Sequence, residues 1–156
     1  MADVVSHHLW QSHFDAVRRG PSTFDAVALA RARTALSEEL GFAEPFILPP
    51  LLAEILEAGV LWCSRGVGER YAEFGWLGAD MADVSRRYEC AQYMPAGVPI
   101  AFDGGGGLYL LDARGGRNDG RQPVVWSHSG SLGWEDGDHR IAAVDFESFV
   151  HDESAV

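Results

Sequence analysis

The chain contains no lysine. All twelve of its basic residues are arginine, set against 23 acidic residues, for a formal net charge of −11. Phosphate backbones repel a surface of that sign, which disfavours general nucleic-acid binding and would steer a basic protein partner, although such charge also serves solubility alone. Cysteine is scarce: Cys63 and Cys90 are the two present. They show neither CxxC spacing nor a histidine at a zinc-ligand interval. They are read as two buried thiols in a reducing compartment, with a single Cys63–Cys90 disulfide as the alternative. No apolar run nears the roughly 20 residues that span a bilayer. The N-terminus, Met1-Ala-Asp-Val-Val-Ser-His-His, lacks the basic and apolar regions of a signal peptide. A cytoplasmic protein without membrane contact is expected.

What is present is ordinary globular composition: 156 residues, 47% hydrophobic and 22% charged. That length suits one domain whose core needs no disulfide, metal or other cofactor to close. One run stands out, Phe102-Asp-Gly-Gly-Gly-Gly-Leu-Tyr-Leu-Leu-Asp112. Four glycines invite a phosphate cradle, but such a cradle opens a helix whose N–H groups face the anion. Here the glycines run into an apolar stretch of strand character. Asp-Gly between two such stretches predicts a hairpin.

Around that hairpin the patterns alternate between the two periodicities. Residues 1–20 read as weakly helical, with Val5, Leu9, Phe14 and Val17 on one face, ending at Gly20-Pro21. Ser22-Thr-Phe-Asp25 has N-cap spacing for a helix reaching Leu40, with Gly41 as its stop. Pro50 suits the first turn of a short helix striped by Leu51, Leu52, Ile55 and Leu56. Val60–Cys63 predicts a strand, Arg65–Gly68 a turn, Tyr71–Leu77 a second strand and Asp80–Gln92 a helix. Strands follow at Val98–Phe102, Leu108–Asp112, Val124–His128 and Arg140–Val144. The polar stretch 113–122 reads as a floppy tip. Asp145 is placed to cap a last helix carrying Phe146, Phe149 and Val150, before a frayed tail at 152–156. The expected class is α+β: a single domain, mainly an antiparallel sheet with helices packed on one side. An N-terminal helical segment (1–21) precedes the main domain (22–151).

The C-terminal part resembles the SUKH superfamily, the cell-wall-assembly-regulator family. The likeness lies in Leu48-Pro-Pro50 before a short helix, Phe74-Gly-Trp-Leu77 before the Asp80 helix, and the Val98–Asp112 glycine hairpin. Pro123-Val-Val-Trp-Ser-His128, an acidic loop and Asp145-Phe-Glu-Ser-Phe-Val150 complete it, over roughly residues 36–151. The resemblance implies one α+β domain without catalytic chemistry. Many bacterial members are immunity proteins that bind and neutralise a cognate toxin; others are regulatory or scaffold modules. The partner implied is a protein, in the immunity case a basic toxin domain, and no cofactor.

Catalytic alternatives are weaker. His7, His8 and His13 lie at offsets of one, five and six, a poor helical ligand set. His128, Asp136, Asp138 and His139 form a second candidate metal group, of a small metal-dependent hydrolase. Ser127-His128-Ser129 holds nucleophile and base types, but adjacent residues make no triad, and the Gly-x-Ser-x-Gly register is missing. The favoured site is an anionic contact patch for a partner, made by Glu135, Asp136 and Asp138 and extended by Asp103. Trp134, ringed by acids in that loop, is either a binding anchor or a cover folded back on the sheet.

Overall fold

The computed structural model describes residues 9–20 and 26–151. The expectations for His7, His8, the Ser22 cap and the 152–156 tail lie outside those residues.

Seven strands form one antiparallel sheet in chain order: β1 (Ala16–Arg19), β2 (Val60–Val67), β3 (Arg70–Trp76), β4 (Gly97–Phe102), β5 (Gly107–Asp112), β6 (Val124–His128) and β7 (His139–Ala143). The helices are α1 (Ala26–Leu40), α2 (Pro50–Glu57), α3 (Met81–Arg87), α4 (Cys90–Tyr93) and α5 (Phe146–His151), with single 3₁₀ turns at Leu9–His13 and Gly78–Asp80. The α+β class is the one the sequence suggested.

Residues paired across a ladder share a face. One row therefore runs Trp76, Ala101, Tyr109, Trp126 and Arg140. α5 lies over it: the Phe149 ring sits 5.3 Å from Phe74 and 5.1 Å from Tyr109, and Phe146 sits 5.8 Å from Trp76. The alternate row, Gly75, Phe102, Leu108, Ser127 and His139, faces the other way. There Tyr88, at the end of α3, meets Phe102 edge to face at 6.1 Å. Helical cover thus reaches both sides of the sheet, where the sequence suggested one. β5 is buried on both faces from Gly107 to Leu111, which is why it reads as a continuous apolar run rather than an alternation.

Four local expectations change. Residues 16–19 are not helical: β1 pairs with β2 and forms the sheet edge. Strand pairing overrides a weak local preference there, and Trp10 and Phe14 bury themselves in the same core. The predicted 80–92 helix is divided. Glu89 takes a left-handed conformation (φ 54°), which ends α3 and turns the chain so that Cys90 and Met94 are fully buried. A non-glycine residue enters that region at a cost of about 1 kcal/mol. The 113–122 loop is tied down. Asn118 accepts a hydrogen bond from Ile47 N–H and donates one to the Pro45 carbonyl, and Gln122 donates to the Ile47 carbonyl.

The expected turn at Arg65–Gly68 also moves. β2 runs on to Val67, and the hairpin turns at Gly68 and Glu69. Arg65 thereby enters the core at 2% exposure. Its Nη1 and Nη2 donate to the carbonyls of Val150 (2.7 Å) and Phe149 (2.8 Å) at the end of α5. The guanidinium lies 5.4 Å from the ring centres of both Phe14 and Phe74. A cation at the negative end of a helix, over aromatic faces, is stabilised by both fields. Both cysteines are free and buried. The two are not joined, so the disulfide alternative falls away, and burial pushes each thiol up to about 11.

Arg65→Leu is expected to lower unfolding free energy by about 3 kcal/mol in urea titrations. Arg65→Lys should restore little of it, because an ammonium cannot fork to two carbonyls. A Leu variant as stable as the parent contradicts this role. Neither thiol should react with a thiol reagent until the chain unfolds; rapid labelling of the folded protein contradicts their burial.

Candidate partner-binding surface

The glycine hairpin joins β4 to β5, as expected. Asp103 N–H donates to the Gly107 carbonyl, and positive φ angles at Gly104 (82°) and Gly106 (93°) carry the chain round. The Asp103 carboxylate organises the turn. Oδ1 accepts from the N–H groups of Gly105 (2.7 Å) and Gly107 (2.8 Å), and Oδ2 accepts from Trp126 Nε1 (2.8 Å) on β6. A Cβ at Gly107 would run into both Trp126 Nε1 and Asp103 Oδ2, so only glycine fits. Partial burial works to raise the Asp103 carboxyl, but the hydrogen bonds from Gly105, Trp126 and Gly107 outweigh it and hold it below its ordinary value. These two glycine amides are spent on the chain's own carboxylate.

The loop between β6 and β7 starts from this turn: Ser129 N–H donates to the Gly106 carbonyl. Gly130 N–H bonds His128 Nδ1 (3.0 Å), and Ser131 N–H bonds the His128 carbonyl (3.0 Å). Further on, Asp138 N–H closes on the Glu135 carbonyl, with Gly137 at φ 91° between them. Ser127 Oγ donates to the Asp138 carbonyl across the loop mouth (2.7 Å). Gly133 has no room for a side chain, because Asp138 occupies it. Glu135 and Asp136 stand exposed on this fixed backbone, and neither takes part in an ion pair among the described residues.

Trp134 folds back. Its Nε1 donates to the Pro95 carbonyl (2.9 Å), the Arg114 guanidinium lies 3.9 Å from its ring centre, and His139 meets it edge-on. Arg114 is itself held by both oxygens of Asp112. Asp112 lies below its ordinary range because the Arg114 bonds outweigh the burial that would raise it. Trp134 is thus a cover for the sheet and a support for the loop, and it is already engaged within the chain.

Of the sequence-derived site residues, Trp134, Glu135, Asp136 and Asp138 share this one loop. Asp103 is turned away towards Trp126, and no hydrogen bond or ion pair among the described residues joins it to them. Its role is within the turn. Beside the loop lies a cleft of about 520 Å³ that sequence reasoning did not find. Its walls are Tyr88, Glu89 and Tyr93 on one side and Ser129, Ser131 and Asp138 on the other. The signal was hidden because these tyrosines meet the loop only through the break at Glu89, which no helical periodicity foretells.

The catalytic candidates are dispersed. Ser127 is buried and bonded to Asp138, while its neighbour His128 is exposed on the opposite face of β6. Among the described residues no group of three or more His, Cys, Asp or Glu is placed to hold a metal ion, and no helix is long and apolar enough to cross a membrane. No model of a known protein family matches the chain, and no curated protein matches it.

Asp103→Ala strands the Trp126 donor and two glycine amides, and is expected to cost about 2 kcal/mol in urea unfolding at neutral pH. The folded carboxyl titrates below the unfolded one. Its contribution is therefore complete above about pH 3.9 and is lost as pH falls through the lower folded value. The gap between parent and variant should narrow in acid. A gap that stays constant with pH contradicts a charged Asp103 as the organiser.

Proposed function

We propose that this chain is a non-enzymatic protein-binding domain, an immunity-type inhibitor that neutralises a basic toxin domain by occluding its surface. The observation that carries the reading is the β6–β7 loop. Its backbone is hydrogen-bonded into the sheet, its tryptophan is engaged within the chain, and Glu135 and Asp136 project from it without an ion pair among the described residues. Loops fixed on a rigid scaffold are where binding is commonly found. Carboxylates held outwards by such a scaffold lose little freedom on meeting a partner. The net charge of −11 extends the attraction beyond contact range and raises the on-rate for a basic partner. The reading takes the partner to be a protein rather than a nucleic acid, met in the cytoplasm, where a producing cell would need protection. It draws on the SUKH-like order of motifs for the immunity role and on the loop for the surface that performs it.

The test is a pull-down with the chain as bait to recover a basic toxin domain, followed by calorimetric titration with that purified domain at low and high salt. Affinity should fall as salt rises. Glu135→Lys and Asp136→Lys should each weaken binding about ten-fold, which is about 1.4 kcal/mol. Both residues are exposed, so the variants should fold as the parent does. Affinity unchanged in both removes the acidic loop from the proposal, and no binding at all removes the immunity role.

A further inference from the structure

We infer that the cleft between the α3–α4 break and the β6–β7 loop is a receptor for one arginine side chain of the partner protein. This rests on the protein-binding reading above and names the group that its surface grips.

The cleft offers acceptors and aromatic faces. Tyr93 is 50% exposed at its edge, and Tyr88 is half-buried in its wall. Glu89 and Asp138 are among its lining residues, and so are Ser129 and Ser131. The amides on the loop side are spent: Ser129 on Gly106, Gly130 on His128 Nδ1 and Ser131 on the His128 carbonyl. An anion would therefore meet two acidic residues, with no free amide among these three and only hydroxyls and Arg87 to donate. A guanidinium would find acceptors for its five N–H groups and ring faces for its plane. Lysine supplies charge but neither the fork nor the stacking surface, so arginine is the better fit. Arg87 also borders the cleft. Glu89 and Asp138 against Arg87 still leave the lining one unit negative, and Glu135 and Asp136 add to that field from the same loop.

The left-handed turn at Glu89 (φ 54°) makes this arrangement. A continuous helix would carry Tyr88 and Tyr93 to different faces, since neighbours on a helix lie three or four residues apart. With the break, both line one hollow.

The experiment follows backbone amide signals of the isotopically labelled full chain by NMR during titration with N-acetyl-arginine amide. N-acetyl-lysine amide and N-acetyl-norleucine amide serve as controls. Saturable shifts are expected at Tyr93, Gly130 and Ser131 with the arginine probe, weaker ones with lysine and none with norleucine. Tyr93→Ala should weaken the arginine probe about five-fold, while Tyr93→Phe keeps most of the affinity. Absence of saturable shifts, equal shifts with norleucine, or unchanged affinity in Tyr93→Ala overturns the site. If the chain binds its toxin in a salt-dependent way while the cleft takes no arginine, this inference fails and the protein-binding reading stands. If the cleft takes arginine but the chain binds no toxin, the inference stands and the immunity reading fails.

Discussion

A single carboxylate, that of Asp103, sets the conditions for the hairpin and for the loop that adjoins it. It closes the glycine turn on itself through Gly105 and Gly107, and it reaches across to Trp126 on the next strand but one in the sheet. Three donors on one anion make a strong, short-range lock, because hydrogen bonds to an ionised group are about twice as strong as neutral ones. The turn then offers its Gly106 carbonyl to Ser129, where the acidic loop begins. The order of causes runs from Asp103 to the hairpin, from the hairpin to β6, and from β6 to the loop that presents Glu135 and Asp136.

The arginines and the acids are used differently. Arg65 is inside, spanning the last carbonyls of α5 and three aromatic rings. Arg86, Arg114 and Arg117 pair with acids of their own neighbourhood. Exposed pairs of that kind contribute little to stability, of order 1 kcal/mol or less. Their larger effect is on the outer field. They neutralise Glu39, Asp83, Asp112 and Asp119, and leave Glu135 and Asp136 to define the sign of the loop. The net charge of −11 adds a general attraction for a basic partner to the field of those two carboxylates.

Much of the sheet was legible because its strands obey local rules. Asp103 followed by glycine between apolar runs made the hairpin plain, and Asp145 before Phe146 foretold a cap that Ser148 N–H completes at 2.7 Å. The strands at Val98, Leu108 and Val124 stood out as apolar runs. What stayed hidden depended on distant partners. Arg65 reads as a turn residue until the α5 carbonyls, more than eighty positions on, are brought to it. β1 forms only because β2 supplies its ladder. The break at Glu89 has no glycine to announce it, so the cleft beside Tyr93 had no sequence signal. The acidic patch was read from residue types, and two of the residues assigned to it are engaged within the chain: Asp103, which was to extend it from the hairpin, holds the turn, and Trp134 holds the loop.

Hydrogen–deuterium exchange of the chain alone and with a basic protein partner that it retains in a pull-down addresses the central claim most directly. Slowed exchange confined to the 129–138 loop and the adjoining 88–93 segment is the predicted result. Unchanged exchange in both segments, with protection elsewhere on the chain or none at all, would contradict the account.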